Sequence, residues 1–278
     1  MSGGFSPLLF VHGFWHGSWC WSEVMMHTAT AGRPSVAVDM AGHGLRSRLP
    51  EHPLRGDAVA AEPSRVADVN LDQAGELLVS QIKEVGRGGP VTVVAHSMGG
   101  TVLTRAAQLA PDLVAHAVYL AAFMPASDIP AAAYIAMPEN EGELVVPSLR
   151  ADPAVIGALR LDVTSEDPVY HQQLRDAFLG DVDPAVADAA IRLMTPDAPA
   201  GIAGGATTLT SDGWGSVPRT YVICTQDMAI RPPTQRRFIA DADAAFPENP
   251  TSVVTLDSSH SPFLSMPRQV ADIVLTLG

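Results

Sequence analysis

Six short apolar segments recur along the chain, and helical patterns separate most of them. The apolar segments are residues 8–12, 35–39, 91–95, 115–121, 219–225 and 252–256. They are rich in β-branched residues and do not alternate apolar with polar positions, which is typical of strands buried on both faces of a parallel sheet. Helical patterns lie near residues 22–31, 71–85, 98–109, 234–244 and 267–277. This alternation predicts an α/β fold with a doubly wound, mainly parallel sheet of about six strands.

The alternation breaks off between residues 125 and 217, where no convincing core strand is present. This stretch is rich in proline and has helical patterns over residues 153–159, 168–179 and 184–194. Because structureless loops of that length are uncommon, we expect a helical insertion, the cap, packed over the carboxyl edge of the sheet. The core domain would consist of residues 1–124 and 218–278, and the cap of residues 125–217. A separate small helical domain is the alternative, and residues 49–64 are expected to form a surface loop.

The composition narrows the class of protein. Of the 278 residues, 17 are basic and 30 are acidic, which gives a formal net charge of −13. Such a surface repels phosphate backbones and anionic lipid headgroups, so we expect neither nucleic acid nor a membrane as a partner. Charged residues make up 17% and hydrophobic residues 47%, which argues against a disordered chain.

Cysteine and lysine are too scarce to support several other kinds of chemistry. Cys20 and Cys224 cannot build a disulfide scaffold and lack zinc-ligand spacing. Lys83 is the only lysine and lies in a polar helical stretch, so Schiff-base chemistry is set aside. The N-terminal residues 1–11 do not resemble a signal peptide, and no apolar run approaches the roughly 20 residues that span a bilayer. We expect a cytoplasmic protein with reduced thiols.

The strand predicted over residues 91–95 leads into a candidate nucleophile. Ser97 follows it in the motif small-x-Ser-x-Gly, where Ala95 and Gly99 are the small residues, and a helical pattern comes next. A serine between a buried strand and a helix is the context of a nucleophile elbow, which presents the hydroxyl above the sheet edge. There the backbone amide of Met98 can face a developing oxyanion. The alternative is that Ser97 only caps the helix that follows.

His260 and Asp227 are the candidate base and acid for this serine. A serine hydroxyl needs a base to take its proton at neutral pH. His260 lies between the last strand and the last helix, which places it at the same edge of the sheet as Ser97. Asp227 follows the preceding strand, and the order Ser, Asp, His is a known order for hydrolytic triads. Asp257, three residues before His260, is the competing acid.

The loop after the first strand is a candidate source of a second oxyanion donor. A His-Gly turn at this place can offer the backbone amide of Phe14, and Gly13 permits a close approach of the backbone. Trp15 lies inside the loop and is a candidate pocket residue. Trp19 and Trp21 are expected to pack the following helix against the sheet.

Four other histidines lie near these loops. His12 and His16 flank the first loop and can be either structural donors or polar groups of the pocket, and His43 is expected to anchor a loop. His96 occupies the variable position of the elbow and is expected to point away from the substrate. The histidines do not form the spaced cluster with carboxylates that a metal site requires, so we expect neither a metal nor a cofactor.

These segments together resemble the α/β-hydrolase superfamily over nearly the whole chain. Within it, the sequence is similar to the branch that contains plant methylesterases, hydroxynitrile lyases and bacterial esterase relatives. The resemblance is carried by residues 12–19, 95–100, 226–230, 260 and 263–267. Lyases of this branch have a threonine after the first-loop histidine and a lysine after the catalytic histidine, where this chain has Gly13 and Ser261. The resemblance therefore implies the esterase chemistry.

The sequence predicts a serine ester hydrolase with Ser97 as nucleophile, His260 as base and Asp227 as the acid that orients it. The expected partner is a small molecule, a methyl or aryl/alkyl ester of small to medium size with an apolar body. Expected substrate contacts are Gly13, Trp15, Phe123, Met124, Tyr134, Met137 and Met228. A lactonase with the same triad, a hydroxynitrile lyase and a non-catalytic ligand-binding protein of this fold are the alternatives, and a homodimer is one open oligomeric state.

Overall fold

The main sheet is built from six parallel strands. The computed structural model describes residues 6–277. Residues 1–5, part of the segment predicted not to be a signal peptide, and residue 278 lie outside the described residues. The strands are β1 (Leu8–Val11), β2 (Ser35–Val38), β3 (Val91–Ser97), β4 (Val114–Ala122), β5 (Ala158–Arg160), β6 (Asp197–Pro199), β7 (Arg219–Cys224) and β8 (Ser252–Leu256). The main sheet has the order β2-β1-β3-β4-β7-β8, and β5 pairs with β6 in a separate antiparallel ladder.

Helices follow most of the strands. The α-helices are α1 (Ser22–Thr30), α2 (Ala58–Ala61), α3 (Leu71–Gly86), α4 (Gly99–Leu109), α5 (Ala131–Ile135), α6 (Val145–Ser148), α7 (Pro153–Ile156), α8 (Pro168–Phe178), α9 (Pro184–Leu193), α10 (Ala200–Ala203), α11 (Pro232–Ala245), α12 (Pro262–Ser265) and α13 (Pro267–Leu275). The long helix α3 begins at a capping box in which the side chains of Asn70 and Gln73 each accept from the other residue's backbone amide. The predicted alternation of strands and helices is confirmed.

Alternate residues of the strands enter two separate cores, one on each face of the sheet. In β1, Leu9 and Val11 belong to the first core, whereas Leu8 and Phe10 belong to the second. Buried residues of α3, α4 and α11 complete the first core, and those of α1 and α13 complete the second. Because both faces carry helices, the sheet is doubly wound, as predicted.

Burial on both faces holds for the central strands but not for the edges. All residues of β1 and β7 are buried, and most of those in β3 and β4 are. In the edge strands, Val36 of β2 is 41% exposed and Val253 of β8 is 49% exposed. The expectation of two buried faces is wrong for these two strands, because an edge strand has a neighbour on one side only and the helix layers cover it less.

The strand order determines where a site can form. The chain adds β2 on one side of β1 and then places β3 on the other side, so that β1 and β3 lie at a topological switch point. In open α/β sheets, ligands bind in the crevice outside the carboxyl ends of the strands at such a point. The loop after β1 begins at His12 and the turn after β3 begins at Met98, so both predicted oxyanion elements meet there.

The cap, residues 125–217, contributes no strand to the main sheet; it holds α5 to α10 and the pair β5 and β6. The helix expected over residues 153–159 ends at Ile156, because Gly157 takes a φ of 76° and the chain then enters β5. The surface loop expected over residues 49–64 contains one helical turn, α2. The division into a core domain and a cap domain stays a prediction.

The described residues also bear on cysteine, metal and membrane chemistry. Cys20 and Cys224 are both free and buried, and burial raises the pKa of each thiol well above its usual value. Within residues 6–277, no group of three or more side chains is arranged to hold a metal ion. In the same range, no helix has the length and apolar character to cross a bilayer.

Candidate active site

Ser97 lies in a sharp turn between β3 and α4. Its φ is 51°, a left-handed conformation that is strained for a residue with a side chain. A Cβ added to Gly13 would lie 2.5 Å from the Cβ of Ser97, and one added to Gly99 would collide with the carbonyl oxygen of His12. Met98 occupies the N-cap position of α4 and no side chain caps this helix, so Ser97 is not a helix cap. The turn has the strand–turn–helix geometry of a nucleophile elbow.

His260 and Asp227 form a buried pair. The Nδ1–H of His260 donates to Oδ2 of Asp227 over 2.8 Å, and the two side chains are 1% and 0% exposed. Asp227 also accepts from the backbone amides of Ala229 (2.7 Å) and Ile230 (2.9 Å) and from Nε2 of Gln235 (3.0 Å). Because a carboxylate oxygen accepts, the proton of this hydrogen bond lies on Nδ1, and in the neutral ring Nε2 then holds the lone pair. His260 is therefore in the tautomer that a general base requires.

Asp257, the competing acid, has a different environment. Its Oδ1 accepts from the hydroxyl of Thr225 (2.7 Å) and from Nε2 of Gln226 (2.9 Å), and the residue is exposed. The hydrogen bonds from Gln226 and Thr225 lower the pKa of Asp257. The structure thus brings Asp227, and not Asp257, to the ring of His260.

His96, the residue before Ser97, connects the elbow to the loop of His260. Its Nε2–H donates to the carbonyl oxygen of His260 over 2.8 Å, and the two imidazole rings lie 4.5 Å apart. Burial lowers the pKa of His96 well below its usual value, so the ring is neutral at pH 7. The sequence did not indicate this contact. Within residues 6–277 the hydroxyl of Ser97 makes no hydrogen bond.

His12 orients the loop that follows β1. Its Nε2 accepts from the backbone amide of Met40 (3.1 Å), so the ring proton is on Nδ1, which donates to the carbonyl oxygen of Gly13 (2.7 Å). Because a trans peptide points its N–H away from its C=O, this bond sets the direction of the Phe14 amide. Neither that amide nor the amide of Met98 has an acceptor in the described part of the chain. Both amides predicted as oxyanion donors are thus available to a ligand, as far as the described residues show.

Three histidines around this loop are neutral at pH 7. Burial lowers the pKa of His12 to about 3 and those of His16 and His43 to about 4. The Nδ1–H of His16 donates to the carbonyl oxygen of Phe14 (3.0 Å), and that of His43 to the carbonyl oxygen of Ala41 (3.1 Å). These rings hold the loops by hydrogen bonds to the backbone. Of the two roles left open for His12 and His16, the structure shows the structural donor.

A cavity of about 30 Å³ opens beside Ser97, and its walls are almost entirely apolar. Its lining consists of Phe14, Trp15, Ser97, Met98, Phe123, Ile135, Glu143, Val145, Val146, Leu159, Phe178, Ala229 and Ile230. The predicted residues Trp15 and Phe123 are among them. The cap supplies six of the others, from Ile135 to Phe178, and no motif in the sequence marks them. The sequence carries no signal for these six residues because they come from different short elements that only the tertiary packing brings together.

The remaining predicted substrate contacts lie elsewhere. Met124 and Tyr134 are buried in the first core, and Met137 is partly buried against it. The carbonyl oxygen of Met228 accepts from the backbone amide of Leu144 over 2.8 Å. In the described residues these four side chains are not part of the cavity wall, and neither is Gly13, which lies against Ser97.

The cap contacts the loop of His260 directly. The hydroxyl of Ser259, a residue 4% exposed, donates a hydrogen bond to Oδ1 of Asp181 in the cap. The ring of Phe178, which lines the cavity, has its centroid 6.1 Å from that of His260. Residues 178–181 therefore touch both the cavity and the loop that carries His260.

Comparisons with known proteins agree with this geometry. A model of the alpha/beta hydrolase family matches residues 8–273. Methylesterase 9 of Arabidopsis thaliana is 27% identical over 282 residues, which cover 96% of each chain. Esterase PIR7B of Oryza sativa subsp. japonica is 28% identical over 279 residues, which cover 97% of this chain and 94% of the relative.

Solved structures show the same fold. A pyrethroid hydrolase from Sphingobium faniae JZ-2 superimposes with a TM-score of 0.75 at 20% identity, covering 98% of this chain and 96% of that chain. The methylesterase protein MES16 from Arabidopsis superimposes with a TM-score of 0.71 at 22% identity, covering 98% of each chain. The family match spans nearly all of the described residues, and the strand order and the elbow agree with it. The chain therefore belongs to the alpha/beta hydrolase family.

Proposed function

We propose that this chain is a carboxylic ester hydrolase in which Ser97, His260 and Asp227 act as a catalytic triad. The observation that carries the proposal is the buried hydrogen bond from Nδ1 of His260 to Asp227. It leaves Nε2 as a base at the edge of the sheet where Ser97 is held in a strained turn. Relatives that are named methylesterase or esterase support this reaction class.

In the proposed reaction, Nε2 of His260 takes the hydroxyl proton of Ser97 while Oγ bonds to the carbonyl carbon of the ester. The carbonyl electrons move to oxygen, where the amides of Phe14 and Met98 stabilise the charge; one such donor is worth about 3 kcal/mol. Collapse of this intermediate releases the alcohol, which takes the proton from His260. Water then gives a proton to His260 as its oxygen attacks the carbonyl carbon of the acyl-enzyme. The bond between that carbon and Oγ of Ser97 breaks, Oγ takes the proton back from His260, and the acid is released. The hydrogen bond between Ser97 and His260 forms when substrate binds, since such bonds often tighten only in the complex.

The cavity favours a particular kind of ester. Its walls of aromatic and aliphatic side chains suit the apolar body of a methyl or aryl/alkyl ester. A lactone would be hydrolysed by the same residues, so only the substrates that the protein accepts distinguish a lactonase from an esterase. A hydroxynitrile lyase is less well supported, because Gly13 and Ser261 replace its threonine and lysine. The cytoplasmic location stays a prediction.

A fluorophosphonate probe and an ester panel test this function together. The probe is expected to label one residue, and mass spectrometry of the digested protein is expected to place the label on Ser97. The panel, methyl and aryl esters with apolar acyl groups, is expected to be hydrolysed, and labelling is expected to stop hydrolysis in proportion to its extent. Ser211→Ala, which changes an exposed serine of the cap, serves as the control and keeps both properties. Ester hydrolysis that continues after full labelling of Ser97 would contradict the mechanism, and release of cyanide from a cyanohydrin would favour the lyase.

The contact between the cap and the histidine loop predicts a loss of turnover. Removing the acceptor in Asp181→Ala, or the donor in Ser259→Ala, is expected to lower kcat by about tenfold with little change in KM, because a hydrogen bond to a charged group contributes about 1.5–3 kcal/mol. Asp181→Asn keeps an acceptor oxygen and is expected to retain most of the activity. The double variant should lose no more than either single variant, since both remove one interaction.

Steady-state kinetics on a panel ester measures this effect. Asp176→Ala is the matched control, because Asp176 is an exposed carboxylate of α8, the cap helix that precedes Asp181, and accepts from Nε2 of Gln172. A loss confined to KM, or additive losses in the double variant, would show that Asp181 and Ser259 do not position His260 together.

A further inference from the structure

Glu143 is the one charged side chain in the cavity wall formed by the described residues. It lies in the cap and is half-buried. Burial raises the pKa of its carboxyl group, and no cationic side chain of residues 6–277 pairs with it. An unpaired carboxylate that is partly removed from water is costly to the folded state. A group of this kind in a cleft is a candidate for ligand recognition.

The hydrogen bonds of Glu143 leave part of its carboxylate open. Oε2 accepts from the backbone amides of Val145 (2.7 Å) and Val146 (3.1 Å), and Oε1 accepts from the amide of Val146 at the longer distance of 3.2 Å. A carboxylate has about four acceptor positions on its two oxygens. The bonds hold the carboxylate at the start of α6 and leave Oε1 with room for a further donor.

The segment around Glu143 is attached to the wall of the candidate active site. The backbone amide of Leu144 donates to the carbonyl oxygen of Met228 over 2.8 Å, next to Ala229, which lines the cavity. Val146 lines the same cavity and is 47% exposed, so this part of the wall reaches the surface. A ligand that fills the cavity therefore contacts both Ser97 and the segment that carries Glu143.

We propose that Glu143 selects the substrate by charge and hydrogen bonding. The preferred ester carries a hydrogen-bond donor, an ammonium group above all, on the part that lies away from the reacting carbonyl, and an ester with a second carboxylate is rejected. Two negative charges repel each other more strongly between apolar walls than in water, and a donor that bonds to Oε1 compensates the buried charge. The inference rests on the proposed ester hydrolysis for its substrate, but the binding preference can be measured without turnover.

Binding of three matched ligands tests the proposal. Phenethylamine, phenethyl alcohol and phenylacetate share an aromatic body and differ in charge, and titration calorimetry near neutral pH gives the Kd of each. The amine is expected to bind about tenfold more tightly than the alcohol, and the carboxylate at least tenfold more weakly. Glu143→Gln, which keeps an oxygen to accept from Val145 and Val146, is expected to reduce the ratio between amine and carboxylate by tenfold or more. Glu141→Gln removes the same charge from an exposed neighbour outside the cavity wall and is expected to leave the ratio unchanged.

Several outcomes would overturn the proposal. These are equal affinities for the three ligands in the unmodified protein, no binding of the amine, an unchanged ratio in Glu143→Gln, or the same loss of preference in Glu141→Gln. A parallel measurement compares kcat/KM for the methyl ester of aminomethylbenzoic acid, which carries an ammonium group, and the monomethyl ester of terephthalic acid, which carries a carboxylate. The first is expected to be hydrolysed at least tenfold more efficiently. A preserved binding preference without turnover of either ester would contradict the ester hydrolase and leave the role of Glu143 in place.

Discussion

Replacing Ser97 with glycine is expected to abolish ester hydrolysis and, at the same time, to stabilise the folded protein. Glycine removes the nucleophilic Oγ, and loss of a triad serine lowers kcat on the order of 10⁶-fold in a well-studied serine hydrolase. The φ of Ser97 is 51°, which glycine adopts without steric strain. Relief of this strain contributes about 1–2 kcal/mol to the free energy of unfolding. The strained turn that presents the Ser97 hydroxyl is therefore expected to lower the free energy of unfolding.

Initial rates on a panel ester and urea denaturation measure the two effects separately. Ser97→Ala removes Oγ but keeps the Cβ in the left-handed conformation, so it is expected to lose hydrolysis without the gain in stability. Residual hydrolysis within tenfold of the unmodified protein would exclude Ser97 as the nucleophile. An unfolding free energy of Ser97→Gly that is no higher than that of Ser97→Ala would exclude strain at this position.

The protein is expected to unfold steeply in mild acid because of histidines that are buried in the neutral form. The pKa of His12 is about 3 and those of His16 and His43 are about 4 in the folded protein, whereas an unfolded histidine has a value of 6.5. Between these values the unfolded chain binds more protons than the folded chain, so acid favours unfolding. Stability is full above pH 6.5 and falls by about 1.4 kcal/mol per pH unit for each group as the pH drops. His96, whose pKa is lowered in the same way, adds to this loss.

The combined loss is large compared with the stability of a domain. For three groups it is on the order of 5 kcal/mol between pH 6.5 and pH 5, and whole domains have about 5–15 kcal/mol. Asp39, whose Oδ1 lies 3.8 Å from Nε2 of His12, offsets part of the cost at that residue. The unfolding free energy measured by urea denaturation at several pH values is therefore expected to fall sharply below pH 6.5.

A matched pair of variants locates the source of this dependence. His43→Asn keeps a side-chain N–H for the carbonyl oxygen of Ala41 and removes one titrating group. It is therefore expected to reduce by up to one the number of protons taken up on unfolding, which sets the slope of the unfolding free energy against pH. His52→Gln changes an exposed histidine and is expected to leave the slope as it is. A free energy of unfolding that stays constant from pH 7 to pH 4.5 would contradict the neutral buried rings.

Local patterns were enough to locate the fold and the core of the candidate site. The strands of the main sheet were predicted because their uninterrupted apolar runs need burial on both faces, and only parallel sheets offer it in a chain that alternates with helices. Ser97 was found because an elbow requires small residues at fixed spacing around one serine, and His260 because of its place after the last strand. The choice of Asp227 over Asp257 followed from chain order, and the hydrogen bond to His260 supports it.

The cap was the part that local patterns described least well. Residues 158 and 159 were expected at the end of a helix, but they belong to β5, which pairs with β6, since the register of a short ladder is set by a partner far along the chain. Met124, Tyr134, Met137 and Met228 were expected as substrate contacts, and the structure places them outside the cavity wall. The side-chain direction in short elements depends on what packs against them, which spacing alone does not encode.

The sequence by itself determined the class of fold, the position of the elbow and the order of its three candidate catalytic residues, because each depends on residue types at short spacing. Only the tertiary structure decided that His96 holds the backbone of His260, that Asp181 of the cap bonds to Ser259, and that Glu143 enters an otherwise apolar wall. These contacts join residues from distant parts of the chain. The first follows from how the strands assemble and the other two from how the cap packs on the sheet, and such packing is the sum of many weak contacts that no single motif records.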